Sequence, residues 1–536
     1  MSAPAHPAAH PSPTTRAALP GWALAVMVAW FLIHLVAKIA VPQALDIDAA
    51  EQAYFAQALH MGYGVRQPPL YTWVVWLLGQ TGLPMAVALE ALRYAVLAAW
   101  FAGVWAVLRQ LGWSPAVLGW AWLAHLGLAV VMWTAHDSLT HTALAAVLTV
   151  WAAAHLLTLL ASDAARPATA RAATVGVLAG LAVLSKFNAA LWLASALAAT
   201  LLVPQARARL AWRHVAAGAA ATAIVVLPYA GWWLSQPVSA AQLARQITVI
   251  AQPAPSVAES AGPAASAALT TDAGSGAPGH QWADVLGEVL EGALFNVIVS
   301  GLLVALVAGR AAWAATVRDW RWRWLAVQAG VALVVTGALL LASGADVFKG
   351  RWLWPVMPLA ALVLLWPLSR LQRAGNAGGL PRRVVAVLVL AVALSFIAAA
   401  ARFIEPRVHA PRCKQCWTER DTDAMARVLH ARWGDGRLIV TAEHHLAGSL
   451  AAARPPLRAF MAGGPPGLPP PPRPGRYGGC AAAWVGKAVP PPLTPLLDAR
   501  DRPQSWSWPM PHAPQRRIRL STQAISSEAC AAWAAP

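Results

Sequence analysis

Residues 21–42 read GWALAVMVAWFLIHLVAKIAVP, an apolar run with one lysine, Lys38, near its far end. About 20 such residues cross the hydrocarbon of a bilayer as a helix. The run is too long for a removable leader and lacks a small-residue cleavage end, so it reads as a first membrane span. Ten comparable runs follow, over roughly 84–108, 116–133, 139–161, 172–185, 187–203, 214–234, 288–309, 323–342, 354–371 and 383–403. The fifth and sixth runs are short and meet at Ser185-Lys186-Phe187-Asn188, so one broken element is the alternative there. The expected fold class is therefore an all-α polytopic membrane protein of about 11 transmembrane helices over residues 21–404. It is preceded by a polar, Pro-rich cytoplasmic tail, residues 1–20, expected to be disordered.

Composition supports this. Of 536 residues, 58% are hydrophobic and only 12% charged, with a mean hydropathy of +0.52, whereas soluble domains carry about 25% charged residues. The net charge of +18 would suggest nucleic acid in a soluble protein, but no basic-aromatic motif lies on a polar domain, so nucleic acid is not an expected partner. Arginine instead orients the spans. Arg109, Arg166, Arg171, Arg207, Arg209, Arg213, Arg310, Arg318, Arg321, Arg323, Arg370, Arg373, Arg382 and Arg383 fall on alternate short loops of one side. The short loops of the other side hold only Arg66, Lys186, Lys349 and Arg351. Positive charge stays inside, which places the N-terminus in the cytoplasm and residues 405–536 on the exterior side.

That C-terminal segment reads as a small, Pro-rich exterior α/β domain. Residues 436–442 suit a buried strand, flanked by helices over 422–433 and 445–453. Gly464 to Gly475, with four consecutive prolines, reads as loop. All four cysteines, Cys413, Cys416, Cys480 and Cys530, lie in this segment, as expected of an oxidising compartment. Two disulfides are expected, with three connectivities open. The Cys413-x-x-Cys416 spacing also suits zinc, but the other two cysteines form no second knuckle. A further low-complexity loop spans about 235–287 on the exterior side.

Ionisable residues near membrane depth are costly and mark function. Asp46, Asp48, Glu51, Arg66, Asp137, His141, Lys186, Asp346, Lys349 and Arg351 come from five segments yet share the exterior side. The first exterior loop, 43–83, is the richest. A helix is expected from Asp48 to Met61, with Asp48, Glu51, Gln52 and Phe55 on one face. Two carboxylates there suit a general base with a helper, or a cation; the competing reading is a capped, solvated helix start. Pro68-Pro69 turns the chain back, with Tyr71, Trp73 and Trp76 at the interface. Lys186 either snorkels to head groups or binds an anion. Phe348-Lys349-Gly350-Arg351-Trp352 suits a lipid phosphate. Asp137 and His141, one turn apart, suit a His–Asp pair, either structural or catalytic. Glu90 and Arg93 suit an i, i+3 ion pair. No Walker-type loop, GxSxG elbow or HExxH occurs, and no metal or cofactor is expected.

Four motifs stand in order: Asp48-Ala49-Ala50-Glu51-Gln52, Gln67-Pro68-Pro69-Leu70-Tyr71-Thr72-Trp73, Leu184-Ser185-Lys186-Phe187-Asn188 and Phe348-Lys349-Gly350-Arg351-Trp352-Leu353-Trp354-Pro355. On these the chain resembles the bacterial members of the protein O-mannosyltransferase superfamily. These are glycosyltransferase family 39-like enzymes of the GT-C fold, with the aminoarabinose transferases of lipid A among their relatives. The resemblance covers about residues 20–405. It departs where Ala49 replaces the usual Glu of an Asp-Glu pair, and where Gln67 stands for a common Lys. It implies an integral-membrane, inverting glycosyltransferase. Such an enzyme moves a sugar from a polyprenyl-phosphate donor to an acceptor hydroxyl on a glycan, lipid or protein, among membrane lipids. Asp48 would be the base and Glu51 its helper. Lys186, Lys349, Arg351 and Arg66 would bind the donor phosphate, with Asp137, His141 and Tyr71 in support. The alternatives are a secondary transporter or lipid flippase, which needs charges near the midplane and two symmetric halves, and a non-catalytic assembly factor for envelope glycans.

Overall fold

The computed structural model describes residues 18–534 except 42, 65–66, 162–165, 237–286, 288, 292, 294–298, 344–349, 372–379, 415, 465–467, 469 and 473–476. The expected tail, the low-complexity loop, Arg66, Asp346 and Lys349 thus lie largely or wholly outside the described residues.

Among the described residues, seven helices are long and apolar enough to cross a membrane. The bundle runs α1 (Gly21–Ala40), α2 (Ile47–Phe55), α3 (Leu70–Gly79), α4 (Met85–Leu108), α5 (Pro115–Ala124), α6 (Thr140–Ala161), α7 (Arg166–Ser185), α8 (Ala189–Leu202), α9 (Trp212–Leu234), α10 (Val299–Val307), α11 (Trp320–Ser343) and α12 (Arg382–Ala401). The run expected as one span over 116–133 is instead broken: Pro115–Gly127 and Ala129–His136 meet at 68°. The run over 354–371 is likewise split into Ala360–Leu365 and Leu368–Leu371, and α8 is short. The break at Ser185–Asn188 is real: Ser185 ends α7 and Ala189 starts α8.

Small residues and tryptophans hold the bundle together. A Cβ at Gly176 would sit 2.1 Å from the Gly218 carbonyl, and one at Gly180 would sit 2.9 Å from Val225. Glycine at this spacing lets α7 and α9 pack backbone to backbone, the small-xxx-small contact of membrane helices. Trp30, Trp100, Trp354 and Trp366 are buried in one cluster at the centre. Ile224, Leu306, Val334 and Ile397 are exposed, an apolar girdle suited to lipid.

After α12 the chain forms a separate layer. It contains α13 (Thr422–Trp433), β1 (Leu438–Thr441), α14 (His444–Ala452), β2 (Ala459–Met461), β3 (Cys480–Val485), β4 (Gln504–Met510), β5 (Ala513–Ala524) and α15 (Ser527–Ala534). The sheet order is β2-β1-β3-β5-β4. β1 pairs in parallel with β2 and β3, and β5 runs antiparallel to β3 and β4. Residues 422–433 and the buried strand thus fold as the pattern predicts. The cysteines pair Cys413–Cys416 and Cys480–Cys530.

Candidate active site

The ends of α1, α7 and α12 and the starts of α4 and α6 are linked beside α2 by polar contacts: Lys38 with Glu90 and Asp137, Arg402 with Asp137, Arg93 with Asp46, and His141 with Ser185 and Gln52. Asp46 caps α2, its Oδ1 accepting from the Ala49 amide at 2.9 Å. Its Oδ2 accepts from Arg93 of α4 at 2.6 Å. Arg93 also donates to Glu90 at 3.0 Å and to the His136 carbonyl at 2.6 Å. The expected Glu90–Arg93 pair therefore forms, and Arg93 also ties α2 to α4 and to the turn before α6. Burial pushes the Asp46 carboxyl above its ordinary range, with Arg93 pulling the other way and the Asp48 charge adding to the rise.

Asp48 is not the cap. Its Oδ2 accepts from the Leu139 amide at 2.8 Å. Leu139 holds φ at +77°, a conformation that costs a side-chain-bearing residue about 1–2 kcal/mol, and the hydrogen bond to Asp48 helps retain it. Glu51 accepts from Gln67 at 2.9 Å. Gln52 is fully buried: its carbonyl accepts from Thr72 at 2.6 Å, and its amide contacts His141 Nε2 at 2.9 Å. That contact makes His141 Nε2 an acceptor, so Nδ1 carries the proton and donates to the Ser185 carbonyl at 3.1 Å. The Ser185 hydroxyl returns a bond to the His141 carbonyl at 2.8 Å. The Tyr71 ring lies 5.4 Å from the His141 ring. Gln52 and His141 thus lock the end of α7, where Lys186 begins.

Lys186 is half-buried and interacts electrostatically with Asp48, Glu51 and Arg351. Arg351 reaches the Ser138 hydroxyl at 3.5 Å, and Asn188 donates to the Trp352 carbonyl at 2.6 Å, fastening that segment to the start of α8. Asp48, Glu51, Lys186 and Arg351 are therefore gathered from three separate segments. Such a constellation can accept a proton on one side and hold an anionic leaving group on the other.

Asp137 and His141 do not pair. Asp137 accepts from Arg402 at the end of α12 and lies 3.9 Å from Lys38, while His141 is committed to Gln52 and Ser185. One turn of spacing placed them together, but the chain between them bends at Leu139. The sequence reading also missed Arg402, Lys38 and the Leu139 amide. The two cations were visible as charges at span ends on the Asp137 side; a backbone amide leaves no residue signal. Among the described residues, no group of three or more His, Cys, Asp or Glu side chains is placed to hold a metal.

No protein-family model matches the chain. It is 31% identical over 209 residues to the lipopolysaccharide core galacturonosyltransferase RgtA of Rhizobium johnstonii, an alignment covering 39% of this chain and 40% of that relative. It is 26% identical over 388 residues to the lipopolysaccharide core galacturonosyltransferase RgtB of the same organism, covering 71% and 73%. The fold is similar to ArnT of Cupriavidus metallidurans, solved bound to undecaprenyl phosphate, with a TM-score of 0.53 at 14% identity over 97% of this chain and 100% of that one. Its apo state gives a TM-score of 0.51. In fold the chain is GT-C-like, a bundle with seven helices apolar enough to cross a membrane among the described residues and a small C-terminal sheet domain.

Proposed function

We propose that the protein is an inverting glycosyltransferase that takes a sugar from a polyprenyl-phosphate donor and places it on an acceptor hydroxyl at the exterior face of the inner membrane. The observation that carries this is the gathering of Asp48, Glu51, Lys186 and Arg351 at one end of the bundle. Support comes from the names of the curated relatives, and from the undecaprenyl phosphate bound to the similarly folded ArnT. The relatives' names make a uronic acid the first donor sugar to test, and lipopolysaccharide core the first acceptor.

In this reading Asp48 takes the proton of the acceptor hydroxyl. The oxygen attacks the anomeric carbon as the bond from that carbon to the phosphate oxygen breaks. The polyprenyl phosphate leaves with the electron pair, and Lys186 and Arg351 stabilise its charge. Arg66 and Lys349 are further phosphate ligands in this proposal. Asp46 is occupied by Arg93 and the cap and Glu51 accepts from Gln67, so in this proposal Asp48 is the base and Glu51 its helper. The arginine-rich loops support the orientation that puts this end outside and the N-terminus in the cytoplasm. Purified protein in lipid nanodiscs, given a polyprenyl-phosphate sugar and acceptor, tests the reading. Asp48→Asn should lower kcat by roughly 10²–10⁴-fold with donor KM little changed; an Asp48→Asn enzyme of wild-type kcat sinks it.

A further inference from the structure

α2 is gripped from two sides. One face lies on the bundle, where Ala49 and Ala53 pack with Tyr71, Val75 and Leu89. The other is covered by α14 of the C-terminal domain. A Cβ at Gly448 would lie 1.7 Å from the Ala50 carbonyl oxygen and 2.5 Å from its carbon. This is backbone against backbone, an approach that glycine alone allows. The contact sits inside a set of polar ties. His445 Nε2 bonds the Leu45 carbonyl at 2.9 Å, and the Ala44 amide donates to the Thr418 carbonyl at 3.0 Å. The Gln57 amide pairs with both the carbonyl and the amide of Ala459 in β2, at 2.9 and 3.1 Å. The Met461 amide donates to the Tyr54 hydroxyl at 3.3 Å. Tyr54 and Phe55 of α2 share one buried cluster with Leu446, Ala447 and Leu450 of α14. His444, at the start of α14, is close enough to interact electrostatically with Asp48.

We infer that the C-terminal domain is a positioning element of the reaction site, and that Gly448 is the residue through which it sets α2 and with it Asp48 and Glu51. The inference rests on the transferase reading. The phosphate-side cations Lys186 and Arg351 lie on bundle segments outside α2 and α14, so a shift of α2 should reach them less than it reaches Asp48 and Glu51. The two halves of the site should therefore separate kinetically.

The test uses the full chain in nanodiscs, with wild type, Gly448→Val and Gln57→Ala. Two readouts are taken: kcat and donor KM for a polyprenyl-phosphate sugar, and hydrogen exchange of the amides over 47–55. Gly448→Val should lower kcat roughly 10- to 100-fold, the cost of misplacing a reacting group by about an ångström, with donor KM within about threefold. Its α2 amides should exchange faster. Gln57→Ala, which inserts no bulk, should shift both readouts the same way to a smaller extent, and it carries the test if Gly448→Val does not fold. Wild-type kcat and exchange in both folded variants overturn the inference, as does a loss confined to donor KM. If wild type itself transfers nothing, the transferase reading fails, while the exchange readout still decides whether the domain sets α2.

Discussion

Asp46 and Asp48 stand two residues apart, and the fold gives them opposite tasks. Asp46 spends one oxygen on the helix cap and the other on buried Arg93. Asp48 spends one oxygen on the Leu139 amide and keeps the other for an acceptor in the proposed reaction. Asp46→Asn keeps the cap but removes one of the two carboxylates on buried Arg93, leaving it Glu90 and the His136 carbonyl. It should destabilise the solubilised protein by about 1.5–3 kcal/mol, the worth of a hydrogen bond to a charged group, whereas Asp48→Asn should melt within a few degrees of wild type; thermal unfolding in detergent reads the difference. On the phosphate side, Lys186→Met should raise donor KM roughly 10- to 100-fold, the worth of one hydrogen bond to a charged group, and initial rates against donor concentration measure it. The four titratable positions were legible because charges in an apolar sequence are conspicuous. Their hydrogen-bond assignment was not: the capping role predicted for the start of the loop helix fell to Asp46, a difference of two residues that spacing does not resolve.

At the scale of elements, the loop helix expected to reach Met61 stops at Phe55. The chain then folds back around Tyr63, whose hydroxyl donates to the Ala58 carbonyl at 3.0 Å and accepts from the His60 amide at 3.2 Å. Gly62 packs under Trp232 of α9, where a Cβ would meet the ring at 2.0 Å, a contact between distant segments that no local pattern encodes. The helix at 422–433 was legible because its apolar spacing and its Asp421 cap are local. The joint between α14 and the first loop carries its own pH dependence. His445 donates to the Leu45 carbonyl and faces Arg420 at 3.5 Å, with His444 beside it. Burial first, then Arg420, hold its imidazole down to about 3. Above pH 6.5 both folded and unfolded chains keep it neutral. As pH falls below 6.5 only the unfolded chain takes the proton, so stability should drain away toward pH 3, by an amount of order a few kcal/mol. His445→Gln should flatten that part of a stability–pH profile; an unchanged profile contradicts the assignment.

For the whole molecule, the sequence made the membrane class, the shared side of the charges and the α/β character of the last segment readable, since each rests on composition or short-range pattern. The broken span at Gly127 and the seating of the C-terminal layer on α2 were hidden, because they depend on contacts such as Gly448 with Ala50. The cysteine pairing was likewise open until the fold brought Cys480 and Cys530 together. That bridge closes a loop of separation 50, against 3 for Cys413–Cys416. Loop-closure entropy gives about 4 kcal/mol for the longer loop and less than half that for the shorter. Replacing Cys480 and Cys530 with Ser should therefore lower domain stability more than replacing Cys413 and Cys416, as limited proteolysis of the domain would show. In the proposed function, one end of this bundle transfers a sugar from a lipid phosphate with Asp48 as base. The most direct test is mass spectrometry of the lipids co-purifying with Asp48→Asn protein beside wild type. The variant should retain a polyprenyl-phosphate sugar that wild type has consumed. Bulk phospholipid alone in both, with unchanged envelope glycans in cells lacking the protein, would contradict it.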